Sequence, residues 1–246
     1  LKLQSMSKSS EKVSDPKIIV ALDFDQSSKA MHLVDQLDPT LCRLKVGKEM
    51  FTHFGPEFVK QLIDRDFDVF LDLKFHDIPN TVAKACLAAA ELGVWMINVH
   101  ASGGTAMMTK TRQALDTMGS DAPLLIAVTV LTSMSEPELH ALGVQRSLSD
   151  HVLALAQLAK QCELDGVVCS AQEAQLLKQN LGEKFQLITP GIRPKNTSSD
   201  DQTRIVTPQN AIKNGSDYLV IGRPITQSSN PLQSLCEISD SIQTQL

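Results

Sequence analysis

No stretch of the 246-residue sequence approaches the roughly 18 consecutive apolar residues needed to cross a bilayer. The opening residues LKLQSMSKSSEKVSD also lack the apolar centre of a secretory signal, so a soluble, cytoplasmic protein is expected. Basic runs are missing too. The 23 Lys and Arg residues against 28 Asp and Glu leave a net charge of -5, and no cluster has the footprint of a nucleic-acid-binding surface. Any anionic ligand must then be held by a local pocket. Cys42, Cys86, Cys162, Cys169 and Cys236 are odd in number and widely spaced. They contain no CxxC pair to suggest a zinc site or redox couple, which suits a reducing compartment. Among the six histidines there is no HExxH or similar pair, and Gly103-Gly104 lacks the rest of a GxGxxG nucleotide loop. His76, His100, the single Trp95 and the methionines therefore read as structural.

What is present is an ordinary globular composition, 42% apolar and 21% charged, sufficient for a packed core. Residues 1–15 are expected to form a loose tail, with Met6 as the natural start and Leu1 to Ser5 foreign to it. Over residues 16–246, short runs rich in β-branched and apolar residues alternate with longer segments of helical spacing. The strand candidates are residues 17–23, 42–47, 68–74, 96–101, 124–131, 166–170, 185–191 and 217–222. Segments 81–92 and 148–162, with Leu, Val and Ala recurring three and four places apart, typify the helices. Eight βα units fit a single-domain (β/α)8 barrel, although a doubly wound open sheet has the same local period.

The chemistry distinguishes these folds. Asp23, Lys45, Asp72, Lys74, Thr132, Arg193 and Arg223 lie at or near the C-terminal ends of six different strands, the face on which barrel active sites are built. A closed sheet brings them together, whereas an open one scatters several of them. An isolated Asp-x-Lys pair in a strand is ordinarily a structural ion pair. Here Asp72 and Lys74 stand beside Asp23 and Lys45, with Asp77 in the adjoining loop. Alternating carboxylates and ammonium groups in a low-dielectric mouth can satisfy one another and hold fixed rotamers. At the far end, Gly191-Ile192-Arg193 and Gly222-Arg223 follow the last two strands, where barrels often bind phosphate. Either segment alone would read as an ordinary turn. Together they suit an anion held by backbone amides and guanidinium groups.

Five segments in this order, ALD at 21–23, KVG at 45–47, DLKFHDIPNT at 72–81, PGIRP at 190–194 and IGRPIT at 221–226, resemble the orotidine 5'-phosphate decarboxylases, bacterial ones in particular. The resemblance covers nearly the whole chain after the tail. It implies conversion of orotidine 5'-monophosphate to UMP and carbon dioxide, a step of pyrimidine biosynthesis, with neither cofactor nor metal. It further implies that Lys74 protonates C6 as carbon dioxide leaves, with Asp72 near the departing carboxylate. Asp77, by the same resemblance, reaches into the neighbouring subunit's site in a homodimer, bordered by Ile78 and Thr81. Asp23 and Lys45 would hold the ribose hydroxyls. Thr132 would contact the pyrimidine, although a strand-end cap is an equal reading of that residue. Gln202 would contact phosphate or pyrimidine, Gly222 and Arg223 would grip the phosphate, and the segment from Arg193 to Gln202 would close over the substrate.

Two enzymatic rivals share parts of this pattern. Magnesium-dependent sugar-phosphate synthases and decarboxylases of the same superfamily carry Glu-Val-Gly on the second strand, where this chain has Lys45-Val46-Gly47. An ammonium group there would repel the divalent cation that a carboxylate binds. A Schiff-base aldolase using Lys74 is the second. A nucleotide-binding barrel without catalysis is the alternative from another class.

Overall fold

The computed structural model describes residues 15–194 and 206–243. Among them, eight parallel strands close into a barrel in sequence order. They are β1 (Ile18–Leu22), β2 (Cys42–Gly47), β3 (Val69–Phe75), β4 (Met96–His100), β5 (Leu124–Val128), β6 (Gly166–Val168), β7 (Gln186–Thr189) and β8 (Tyr218–Ile221). Each pairs with the next, and β8 returns to pair with β1 through Ile18↔Leu219, Ile19↔Val220 and Val20↔Ile221. The open-sheet alternative is thereby excluded.

The two-residue period of a strand sorts the core into two parts. Ile19, Ala21, Phe70, Met96, Ile126, Ile188, Tyr218 and Val220 pack together inside the barrel. Their strand neighbours, such as Val20, Leu44, Leu71, Ile97, Ala127 and Ile221, belong to the outer core with the helices. Because both faces are covered, most of the strands read in the sequence as largely apolar runs, with Arg43 and Lys45 interrupting β2 and Asp72 and Lys74 interrupting β3. β6 and β7 approach so closely that a Cβ on Gly166 would lie 2.2 Å from the carbonyl oxygen of Gln186, which makes glycine necessary there.

The expected helices appear as Pro79–Ala90 and Leu148–Gln161. Proline at the start of the first loses no intrahelical hydrogen bond. The second is capped by Ser147, whose side chain accepts from the backbone N–H of Asp150. The expected strand 124–131 ends sooner, at Val128. There the Thr129 hydroxyl donates to the carbonyl of Val168 at 2.9 Å, and the following residues turn out of the sheet.

The N-terminal end of the barrel is plugged by Arg43. Its guanidinium lies 4.0 Å from the ring centroid of Trp95 and 5.2 Å from that of Tyr218. Its Nη1 is 2.9 Å from Asp15 and its Nε is 3.0 Å from Asp68. The Tyr218 hydroxyl also donates to Asp15. Burial, reinforced by Asp15, pushes that phenol up to about 12. Asp15 is thus tied to the barrel, while residues 1–14 of the expected tail lie outside the described residues.

Removing the guanidinium leaves two aromatic faces and two carboxylates without their cation. The carboxylates are about half exposed, so water screens part of that loss. Arg43→Ala is expected to lower the unfolding free energy by about 2 kcal/mol, a sum of cation–π, packing and ion-pair losses. Urea denaturation checks this, and a change below about 0.5 kcal/mol, the size of an ordinary surface substitution, would contradict it.

Candidate active site

At the opposite end of the barrel, the strand ends surround a cavity of about 480 Å³. Its floor is apolar, formed by Ala21, Phe70, Val128, Val168 and Val220. The polar wall is supplied by Asp23, Lys45, Asp72, Lys74, Thr132, Arg193, Gly222 and Arg223. Eight of the twelve site residues expected from the sequence therefore share one cavity. Leu131, Thr226 and Gln227 also line it and were not singled out in the sequence.

Along one side the charges alternate. The Nζ of Lys45 lies 3.6 Å from Asp23 Oδ1 and 3.4 Å from Asp72 Oδ2, and Asp72 Oδ1 is 2.5 Å from Lys74 Nζ. Gly47 makes room for this chain, since a Cβ there would stand 3.3 Å from Lys45 Nζ. Burial of Asp72 raises its carboxyl, but Lys45 and Lys74 oppose it by charge, and hydrogen bonds from Lys74 and Asn98 add to them. The net effect holds Asp72 below the ordinary carboxylate value of 3.8, so it stays ionised at neutral pH.

Asp72 and Lys74 meet for a reason other than the simple alternation expected of a regular strand. Leu71 pairs with Ile97 and the next pair is Phe75 with Val99, so β3 carries extra chain over the intervening stretch. Within it Lys74 adopts φ +53°, in the left-handed region. For a residue with a long side chain this costs on the order of 1 kcal/mol or more and requires support from its surroundings. That support includes Asn98 of β4, whose Oδ1 accepts from the Lys74 backbone N–H at 2.8 Å. Its Nδ2 donates to Asp72 Oδ1 at 2.7 Å. Asn98 was missed in the sequence; a lone asparagine inside the apolar run MINVH was its signal.

After β7, Gly191 takes φ +77°, and the Arg193 backbone N–H donates to the carbonyl of Val206. Arg193 is buried and its Nη1 donates to the carbonyl of Ile192. Gln202 and most of the segment expected to close over the substrate lie outside the described residues. Asp77, Ile78 and Thr81 are exposed and do not line this cavity. Asp77 Oδ1 accepts from the backbone N–H of Ile78, and Ile78 is 67% exposed. His76 and His100 stack with ring centroids 5.5 Å apart, outside the cavity lining. Burial, then His76, Lys48 and Lys74, lower His100 against the opposing pull of Asp72, leaving it neutral at neutral pH.

The depressed carboxyl of Asp72 links stability to pH. The unfolded chain takes up a proton at this residue near pH 3.8, whereas the folded protein does so only at lower pH. Its stabilising contribution is thus complete above that value and is lost as pH falls through the folded one. Asp72→Asn is expected to cost about 2 kcal/mol at pH 7 by leaving Lys45 and Lys74 short of a counter-charge. The difference from wild type should shrink below about pH 4. Urea unfolding from pH 7 to 3 measures it, and a difference independent of pH would contradict the assignment.

Comparison with known proteins shows the family. The sequence pattern of the "Orotidine 5'-phosphate decarboxylase / HUMPS family" matches residues 16–238. A Pseudoalteromonas atlantica protein named orotidine 5'-phosphate decarboxylase is 62% identical, over 93% of this chain and 99% of its own. One so named from Vibrio cholerae is also 62% identical, over 94% of this chain and all of its own. The crystal structure of orotidine 5'-phosphate decarboxylase from Lactobacillus acidophilus aligns with a TM-score of 0.83 at 37% identity, covering 93% of this chain and 99% of that one. Fold, mouth and sequence converge, and the chain belongs to the orotidine 5'-phosphate decarboxylase / HUMPS family.

Proposed function

We propose that the chain decarboxylates orotidine 5'-monophosphate to UMP and carbon dioxide, serving pyrimidine biosynthesis in the cytoplasm. The observation that carries this reading is the alternating Asp23, Lys45, Asp72, Lys74 array in the mouth. The second branch of the family pattern, the magnesium-dependent sugar-phosphate enzymes, needs a carboxylate where this array has Lys45. Two ammonium groups bracketing Asp72 oppose a divalent cation there.

In this reading Gly222, Arg223 and Arg193 hold the phosphate, Gln202 contacts phosphate or pyrimidine, and Asp23 and Lys45 hold the ribose. The size of the mouth supports this, since β7 stands across it from β3 and the cavity of about 480 Å³ lies in the usual range of about 300–1,000 Å³ for small-molecule sites. Thr132 contacts the pyrimidine, and Asp72 lies near the departing carboxylate. The bond from C6 to the carboxylate breaks, its electron pair stays on C6, and the ammonium proton of Lys74 passes to that carbon. A cation fixed beside C6 stabilises the negative charge localised on that carbon more than the same charge spread over the departing carboxylate, which is the condition for lowering the barrier.

The site is completed by a second copy of the chain in a homodimer, with Asp77 crossing the interface and Ile78 and Thr81 beside it. Their exposure at the rim, outside their own cavity, supports this arrangement. The five free cysteines support a reducing compartment.

The test is loss of ultraviolet absorbance on mixing the protein with orotidine 5'-monophosphate in EDTA. Wild type should turn over, and Lys74→Ala should be slower by about 10³-fold or more, as for removal of a general acid that also stabilises charge. Asp77→Ala should be similarly impaired. Mixing the two inactive variants under subunit exchange should restore up to about a quarter of wild-type activity, through heterodimers with one intact site. A folded wild-type protein inactive here but active on sugar phosphates with magnesium would overturn the proposal.

A further inference from the structure

Asn98 is fully buried on β4 among Met96, Ile97 and Val99. It lies two residues beyond Met96, which faces the barrel interior, and so points to the same side one layer nearer the mouth. A primary amide at such a place is costly unless both its ends are hydrogen-bonded. Here both are, and both bonds run to the charged array. The oxygen receives the backbone N–H of Lys74 at 2.8 Å, and the nitrogen donates to Asp72 Oδ1 at 2.7 Å. That same Oδ1 accepts from Lys74 Nζ, which leaves Oδ2 facing Lys45. Asn98 does not line the cavity.

We infer that Asn98 is a positioning residue for the decarboxylation proposed above, on which this inference rests. One neutral side chain fixes two things at once. It holds Lys74 in its left-handed conformation, which sets the direction from which the ammonium approaches the cavity. It also locks the Asp72 carboxylate in the rotamer that divides its oxygens between the two lysines. Neutrality matters as much as shape. A carboxylate at position 98 would face Asp72 directly, whereas the amide supplies a donor without altering the charge of the array.

This role differs measurably from a merely structural one. The proposed phosphate ligands come from β7 and β8, and Lys45 keeps Asp23 as a second partner at 3.6 Å, so loosening Lys74 and Asp72 should impair the chemical step while leaving nucleotide binding largely in place. Asn98→Ala is expected to lower kcat by about 10- to 100-fold, the usual cost of removing a group that orients a reacting residue. KM and the Kd for UMP should stay within about threefold of wild type.

Asn98→Asp supplies the more specific signature. The charged groups around the new carboxyl are Asp72 and Lys74 on β3 and Lys45 on β2 beyond Asp72, and the titratable His100 lies on its own strand. Two carboxyls in direct contact hold one proton between them to higher pH than either would alone. In that protonated form, position 98 again donates to Asp72 and accepts from Lys74. The activity of Asn98→Asp relative to wild type should therefore rise as pH falls from 8 to 5, by at least tenfold, while that of Asn98→Ala stays level.

The experiment measures kcat and KM with orotidine 5'-monophosphate, and UMP binding by calorimetry, for wild type and both variants, with circular dichroism as the folding check. A folded Asn98→Ala with kcat within threefold of wild type, or one that loses kcat and UMP affinity together, overturns the positioning role. If Asn98→Ala does not fold, the isosteric Asn98→Asp decides, and a profile parallel to wild type overturns it. Absence of turnover by wild type itself overturns the proposed reaction and this inference with it, so the two failures are distinct.

Discussion

Asp72 lies between two ammonium groups, Lys45 at 3.4 Å and Lys74 at 2.5 Å, in a mouth where an unpaired charge of either sign would cost several kcal/mol. Most other features of the mouth follow from keeping that carboxylate ionised and still. Gly47 leaves space for the Lys45 head group, the irregular stretch of β3 turns Lys74 back toward Asp72, and Asn98 ties the two residues together. In the proposed reaction, groups held in this way would need little reorganisation as charge develops, and that is where enzymes gain most from charge.

The fold makes such an array possible by separating stability from chemistry along the barrel axis. At the N-terminal end, Arg43 is stacked on Trp95 and paired with Asp15 and Asp68. Between the ends, an interior layer of Ile19, Phe70, Met96, Ile126 and Ile188 fills the barrel. These residues carry no charge and exclude water from below, so the mouth opens only at the C-terminal side and its floor is apolar. The left-handed conformation of Lys74 is tolerated because β3 is anchored on both sides by its pairing with β2 and β4.

Much of this was legible in the sequence for a physical reason. Strands covered on both faces are rich in apolar and β-branched residues, so all eight could be found from their runs even though Arg43, Lys45, Asp72, Lys74 and Asn98 interrupt β2, β3 and β4. Their closure could be argued from Asp23, Lys45, Asp72, Thr132, Arg193 and Arg223, which share a site only if the sheet is a barrel. Interruptions of the regular period were not legible. The early end of β5 and the extra chain in β3 depend on contacts between strands, and a two-residue period assumes that such interruptions are absent. Asn98 escaped notice because its partners, Asp72 and Lys74, lie more than twenty residues away in the chain. Arg43 escaped for the same reason, since its aromatic neighbours come from distant segments. For Asp77, Ile78 and Thr81, the single chain supplies only exposure at the rim; their proposed role belongs to a second copy.

The carboxylate and ammonium groups are expected to be in place before the nucleotide binds. A crystal structure of the protein with UMP, compared with one of the free protein, tests this most directly. Asp72, Lys74 and Asn98 should keep their mutual hydrogen bonds in both, with displacements below about 0.5 Å, and Lys74 Nζ should face C6 of the bound pyrimidine. A free protein in which Lys74 points away from the cavity, or a complex in which Asp72 has broken from Asn98, would contradict it.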